Sequence, residues 1–141
     1  MEQLNSFLRG ELSAVETYRM ALDKLDANSL ARTELQSCLA SHQNRVAMLR
    51  DAVIACGGTP ADSSGPWGVW AKTVEGGARL FGDKAAVAAL EEGEDHGLAD
   101  YKRELDDDDL DVQSRQLLVG QLLPLQQQTH DRLSMLKKQL R

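Results

Sequence analysis

The sequence predicts an all-α protein, a four-helix bundle made of two helical hairpins that are joined by a long crossover. Apolar residues recur at helical spacing in four segments, and a Gly-rich stretch separates the second segment from the third. Only three prolines and 4% aromatic residues favour helix over sheet. With 141 residues and 42% apolar content, the chain is long enough for one core, so residues 1–141 are predicted to form a single domain.

The first two segments form the first predicted hairpin. The stripe of the first helix contains Leu4, Phe7, Leu8, Glu11, Val15, Tyr18, Leu22 and Leu25. The stripe of the second helix contains Leu35, Cys38, Leu39, His42, Val46, Leu49 and Val53. Between them the chain turns at 26–29, where Asn28 or Ser29 is suited to cap the second helix. The adjacent glycines Gly57 and Gly58 predict its end.

Residues 57–82 contain nine glycines and prolines and break the helical pattern. Because two hairpins of this kind need a connection that spans the bundle, this stretch is predicted to be the crossover. Within it, Trp67–Phe81 is predicted to form a short helix, with Trp67 and Trp70 packed on the bundle as a lid.

The last two segments form the second predicted hairpin. The stripe of the third helix contains Val87, Leu90, Glu91, Glu94, Leu98, Tyr101 and Leu105. The aspartate-rich residues 106–111 are predicted to be the turn. The stripe of the fourth helix contains Leu118, Leu122, Leu125, Thr129, Leu133, Leu136 and Leu140. Pro124 lies inside this helix and is predicted to bend or interrupt it.

The two hairpins are related by an internal repeat. Glu11 and Tyr18 recur 83 residues later as Glu94 and Tyr101. The segment Arg45-x2-Met48-Leu49 recurs 87 residues later as Arg132-x2-Met135-Leu136. The same motifs in the same order predict that the two halves occupy equivalent places in the bundle.

Polar residues stand at the centre of each apolar stripe. At about 100° per residue, Glu11, His42 and Glu94 each lie at the middle of a helix face. The equivalent of His42 is Thr129, and His130 follows it, so either side chain could point inward. If the two turns lie at opposite ends, all four positions meet in mid-bundle. A carboxylate buried there needs a metal ion or hydrogen-bonding partners.

These residues resemble the ligand helices of rubrerythrin-type proteins in the ferritin-like superfamily. The whole chain, including Gly57-Gly58-Thr59-Pro60 and Ser64-Gly65-Pro66-Trp67-Gly68, is also similar to a bacterial ferritin-like four-helix-bundle family of unknown function. The resemblance implies a ferritin-like fold and a metal site for iron or another divalent ion, with a role in stress or iron handling. The metal ligands that it implies are Glu11, His42, Glu94 and His130.

The chain departs from that pattern at the bridging ligands. A di-iron site of this type uses Glu-x2-His on the second and fourth helices. Here Leu39 stands three residues before His42, and Gln126 and Gln127 stand three before Thr129 and His130. The alternative interpretation is therefore a cluster without metal, in which Tyr and Thr hydroxyls and the imidazole hold the carboxylates, and in which burial and a like-charge neighbour could keep one carboxylate protonated.

Three functions remain open from the sequence: a metal-binding protein, a non-catalytic structural or interaction bundle without cofactor, and a ligand-binding bundle with a pocket near Pro124 and the crossover. Nothing decides whether the protein is an enzyme. A net charge of -6 argues against nucleic acid as a partner. The sequence has neither a membrane-span pattern nor a signal peptide, which predicts a cytoplasmic protein. Self-association into a homo-oligomer suits the second function.

Overall fold

A computed structural model describes residues 2–25, 29–64, 76 and 82–140. These residues contain helices and no β-strand. The first three helices are α1 (Glu2–Lys24), α2 (Ala31–Ala55) and α3 (Asp83–Leu105). The fourth, α4, covers 112–139 and consists of Val112–Leu117, a π-helical turn at Leu118–Leu122 and Leu123–Gln139. The all-α prediction and its four helical segments are confirmed. No helix in this described part is long and apolar enough to cross a membrane.

The helices pack as two hairpins. α1 packs mainly on α2, and α3 packs mainly on α4. The hairpins join because α2 also contacts α4 and α1 contacts α3, which completes a ring of neighbours. The prediction of a helical bundle built from two hairpins agrees with this arrangement.

The described start of the crossover lies along α1. The side chain of Asn5 donates to the carbonyl of Thr59 at 3.0 Å and accepts from the N–H of Ala61 at 2.9 Å. Three residues later, the hydroxyl of Ser64 donates to Glu16 at 3.1 Å. Asn5 and Glu16 are separated by roughly 16 Å of helix, so the chain advances along the bundle here. Apart from Gly76, which is helical, the predicted short helix Trp67–Phe81 and its packing as a lid lie outside the described residues.

The two hairpin turns lie at opposite ends. Ser29, which follows the first turn, donates from its hydroxyl to Asp83 at 2.6 Å, so α3 begins beside that turn. Leu110, in the second turn, instead packs in an apolar cluster with Leu4 at the start of α1. The condition for the four central positions to meet is therefore fulfilled.

Local signals account for the helix ends. The hydroxyl of Ser29 accepts from the N–H of Ala31, the first residue of α2, at 3.2 Å and so satisfies a donor that the helix itself leaves free. Gly57 takes a φ of 81° after α2, a conformation in which a side chain would be strained. In the aspartate turn, Asp111 caps α4 by accepting from the N–H of Ser114 at 2.6 Å.

Pro124 interrupts α4 as predicted, and the interruption is a π-helical turn. Pro124 has no N–H, and its ring would clash with the carbonyl of residue 120 in a regular helix. Immediately before it, the N–H of Leu123 donates to the carbonyl of Leu118, five residues back. This wider turn places Leu118 and Leu122 in the core and lets the helix continue.

The core has three layers along the bundle. One end holds an apolar cluster that includes Tyr18, Leu35, Leu90 and Leu133. The other end holds a second cluster that includes Leu8, Leu49, Tyr101 and Leu122. The third layer lies between these two apolar clusters and consists of buried polar residues, with at least one from each helix. Its members are Glu11, His42, Arg45, Glu94, Gln126 and Thr129.

Candidate functional site

The polar layer, which we call the central cluster, draws at least one side chain from each helix. It consists of Glu11 from α1, His42 and Arg45 from α2, Glu94 from α3, and Gln126 and Thr129 from α4. None of them is more than 3% exposed. Because charged groups lose their hydration at such positions, each must find compensation inside the bundle.

His42 bridges the two carboxylates of the cluster. Its Nδ1 lies 2.5 Å from Oε2 of Glu11, and its Nε2 lies 2.6 Å from Oε1 of Glu94. A carboxylate oxygen accepts hydrogen bonds, so each ring nitrogen must carry a proton to bond in this way. With both carboxylates ionised, His42 bonds the two of them in its imidazolium form.

Arg45 supplies a second buried cation on the same face of α2. Its Nη1 donates to Glu11 at 3.3 Å and to the side-chain oxygen of Gln126. Its Nη2 donates to Thr129 at 3.0 Å and to Ser41 at 3.1 Å. The guanidinium is fully buried, and its fork of donors connects α2 to α1 and α4 at once.

The two tyrosines of the repeat form hydrogen bonds between the hairpins. Tyr18 donates from its hydroxyl to Glu94 at 2.6 Å, and Tyr101 donates to Glu11. Each tyrosine thus bonds the carboxylate of the other hairpin. This reciprocal pair is what a two-fold relation between the halves would produce, and it supports the repeat that the sequence indicates.

Glu94 has the largest set of partners. Besides Tyr18 and His42, it accepts from the amide of Gln126 at 2.7 Å and from the hydroxyl of Thr129 at 2.8 Å. Gln126 also donates to the backbone carbonyl of Glu94 at 2.9 Å. A Cβ at Gly97 would lie 2.7 Å from Nε2 of Gln126, so the glycine on the next turn of α3 leaves room for this contact.

Both carboxylates are held in the charged form. Burial disfavours the charge on Glu11, but Arg45 and His42 outweigh it and bring its pKa to about 2. Burial also opposes the charge on Glu94, and there His42 and then Arg45 prevail and lower its pKa. The carboxylates consequently stay ionised at neutral pH.

The carboxylates in turn keep His42 and Arg45 in their charged forms. Burial acts to lower the pKa of His42, but the Glu94 and Glu11 carboxylates dominate and raise it. The pKa of Arg45 is likewise raised against burial by Glu11 and Glu94. Two carboxylates, one imidazolium and one guanidinium sum to zero charge. The cluster is neutral as a whole, which is the condition under which buried ions are tolerated.

Three of the four expected metal ligands come together, and one does not. Glu11, His42 and Glu94 are in direct contact. Thr129 faces the cluster, so His130 points about 100° away toward the flank of α4. There its Nε2 pairs with Asp95, and its Nδ1 lies 3.2 Å from Asp131. Among the described residues, no group of three or more His, Cys, Asp or Glu side chains has a metal-binding arrangement.

The sequence does not predict two members of the cluster. Arg45 stands out in it only as part of the repeat, and Gln126 only as the position at which a bridging carboxylate is missing. The available signal is spacing, because Arg45 follows His42 by three residues and therefore shares its helix face. Arginine is rarely fully buried, so the usual expectation for such a residue is a solvent-exposed position.

Cys38 lies one turn before His42 and is completely buried. Burial and the nearby Glu94 charge raise the pKa of its thiol to about 12. The thiolate is the nucleophilic and metal-binding form of cysteine, so Cys38 acts here as a small apolar side chain.

A cleft between α1 and α3 leads to the central cluster. Its volume is about 570 Å³, and its inner wall includes Glu11, His42, Glu94 and Gln126. Small residues such as Gly10 and Gly97 line it where two larger side chains would close the space. Part of the central cluster therefore borders a cavity between α1 and α3.

The comparisons with known proteins give a family. Residues 1–107 match a family described as a domain of unknown function, DUF2383. The match covers most of the chain, so this protein belongs to that family. Neither the curated proteins nor the solved structures contain a match.

Proposed function

We propose that this member of the DUF2383 family is a non-catalytic, ferritin-like helical bundle in which a neutral ion-pair cluster stands in the place of a di-metal centre. Its role is then structural or in interaction with other molecules. The observation that carries the proposal is the double contact of His42, at 2.5 Å to Glu11 and 2.6 Å to Glu94.

The donor set does not fit a metal ion. A histidine that binds a metal offers the lone pair of one ring nitrogen. In His42 both ring nitrogens face carboxylate oxygens, and the imidazolium that bonds both has no free lone pair. The guanidinium of Arg45 lies against the same carboxylate of Glu11 and would repel a cation placed there. The imidazolium of His42 and the guanidinium of Arg45 already balance the two carboxylates, so a metal ion would add excess positive charge.

The absence of bridging carboxylates also argues against a di-metal centre. The positions that provide them in the resembling proteins hold Leu39 and Gln126 here. Gln126 is committed to Arg45 and Glu94, and Leu39 is packed beside an apolar cluster. Two divalent ions would lack both ligands and negative charge at these places.

The competing candidate is a single divalent ion held by Glu11, His42 and Glu94. The convergence of these three side chains in one layer is the observation in its favour. For this ion to bind, His42 would have to lose a proton and Arg45 would have to move away from Glu11. The two candidates therefore differ in metal content.

Metal analysis of protein from iron-supplemented cells separates the candidates. We expect the purified wild-type protein to contain much less than one equivalent of iron, manganese or zinc, because the cluster is already neutral. Arg45→Gln provides the matched variant, since it removes the competing cation but leaves every proposed ligand. A stoichiometric metal in the wild-type protein that disappears in His42→Ala would contradict the proposal.

A further inference from the structure

Exposed apolar side chains gather on one side of the bundle. Because the helices form a ring in which α1 and α3 are neighbours, α2 and α4 share the side opposite the cleft. All the large apolar side chains that are exposed in the described part of the chain stand in these two helices or directly before α2. They are Leu30, Ile54, Val112, Val119 and Met135. We call the outward surface of α2 and α4 the α2–α4 face.

The middle of the α2–α4 face carries no charge. Residues 35–49 of α2 and 116–128 of α4 contain two charged side chains, His42 and Arg45, and both are buried. Since 27% of the chain is charged, two exposed stretches of this length would ordinarily carry several surface charges. Depletion of charge at the centre of a patch is what distinguishes protein interfaces from the remaining surface.

The internal repeat places a methionine on each helix of this face. Met48 follows Arg45 by three residues, and Met135 follows Arg132 by three. Each arginine reaches across to the other helix of the face. Three residues leave the two side chains about 60° apart around the helix, so both methionines flank the seam between α2 and α4 on its outer side. Met135 is 63% exposed, and methionine adapts its shape to a packing partner.

The acidic side of the protein is unsuited to self-association, whereas the α2–α4 face is balanced in charge. α3 contains seven acidic and three basic residues, and the following turn at 106–111 adds five aspartates. Two copies that met through this side would bring like charges together. On the α2–α4 face, charges of opposite sign are neighbours beyond the uncharged stretches, as Arg50 beside Asp51 and Asp131 beside Arg132. Here two copies of a chain with net charge -6 can meet without like-charge repulsion.

Two-fold association requires a patch that complements itself. The α2–α4 face meets this requirement, because its centre is uncharged and its ends carry both signs of charge. Its two stretches are roughly 20 Å long and lie on helices about 10 Å wide, so the face covers about 400 Å² in projection and more in accessible area. Standard interfaces bury about 800 Å² per partner, so the contact is of the weaker, reversible kind. We propose that two copies of this chain form a reversible dimer through their α2–α4 faces.

The dimer names the partner for the interaction role proposed above and rests on that role. The two proposals are nevertheless tested by different quantities, since the metal content reports on the central cluster and the oligomeric state reports on the outer face. A metal-containing dimer would contradict only the first proposal, and a metal-free monomer only the second.

Sedimentation velocity of the full chain between about 5 and 500 µM tests the proposal. We expect a monomer–dimer equilibrium with a Kd of about 10–100 µM. The affinity should stay equal or rise between about 50 and 500 mM NaCl, because salt screens the repulsion between two acidic proteins. A protein that is monomeric throughout would overturn the proposal. So would association that salt disrupts or that continues beyond the dimer, since both indicate contact between unlike faces.

Met135→Lys locates the contact. The two-fold axis places the new ammonium group of each copy at the interface, so the dimer should weaken at least about tenfold. Ala99→Lys is the matched control, because it adds the same charge at an exposed position of α3, outside the α2–α4 face. The control should leave Kd within about twofold of the wild-type value. If Met135→Lys dimerised as tightly as the control, the assignment to the α2–α4 face would be refuted.

Methyl spectra of the wild-type protein locate the contact without a substitution. With isotope-labelled methionine methyl groups, the signals of Met48 and Met135 should shift as the protein concentration passes Kd. Met20 on α1 is half-buried against an apolar cluster of the core and serves as the internal reference. A concentration-dependent shift of Met20 with unchanged signals of Met48 and Met135 would place the contact elsewhere and contradict the proposal.

Discussion

Replacement of Arg45 by methionine is expected to lower the free energy of unfolding by about 3–5 kcal/mol. The methionine fills much of the same space but removes the charge that faces Glu11. The cluster then holds two carboxylates against one imidazolium in a fully buried layer. Gln126 and Thr129 lose a donor at the same time. Urea denaturation followed by circular dichroism measures the change.

Arg132 is the matched control for this substitution. It stands at the equivalent place in the repeat, but its side chain is 41% exposed and pairs with Glu34 at 3.3 Å. Arg132→Met should cost less than about 1 kcal/mol, as expected for exposed ion pairs. The double variant with Glu11→Met and Arg45→Met should be more stable than the sum of the two single changes predicts, because it leaves His42 and Glu94 as a neutral pair. Equal effects of the two arginine substitutions would contradict a charge-balanced cluster.

Substitution of Glu94 by alanine is the second change with a large expected effect. Glu94 accepts from Tyr18, His42, Gln126 and Thr129, and all four donors are buried. Each buried donor left without an acceptor costs about 1–3 kcal/mol, and an excess positive charge remains in the core. We expect a loss of about 4 kcal/mol or more, which is a large part of the stability of a typical domain.

Two companion variants separate the causes of that loss. Glu92→Ala removes an exposed glutamate on the same helix and should change stability by less than about 0.5 kcal/mol. Glu94→Gln keeps the shape and one acceptor oxygen. Its loss in free energy of unfolding should therefore lie between the losses of Glu92→Ala and Glu94→Ala. The account would be wrong if Glu94→Ala unfolded with the stability of Glu92→Ala.

The positions of the central residues could be predicted because helix geometry is regular. Counting about 100° per residue placed Glu11, His42 and Glu94 at the centres of their stripes, and all three are in the core. Distance along the hairpins also sets Glu11 level with His42, and Glu94 level with Thr129 or His130. Glu11 is in hydrogen-bonding contact with His42 at 2.5 Å, and Glu94 with Thr129 at 2.8 Å.

The hydrogen-bond partners and charge states of those residues could not be predicted from helix geometry. Periodicity gives the face on which a residue lies, whereas the charge state and the partner depend on atoms of other helices. The full burial of Arg45 therefore does not follow from its spacing on α2 alone. The choice between Thr129 and His130 likewise depended on the π turn before Pro124, since an extra residue in a turn rotates every position that follows it.

The protonation of His42 is the most direct test of the central claim, that two buried cations balance two buried carboxylates. A long-range proton–nitrogen correlation spectrum of the imidazole at pH 7 reports both ring nitrogens separately. We predict that both carry a proton, and that they keep it as the pH rises past the ordinary histidine pKa of about 6.5, because Glu94 and Glu11 raise the pKa of His42. An unprotonated ring nitrogen of His42 at pH 7, which shifts further when a divalent metal ion is added, would contradict the account.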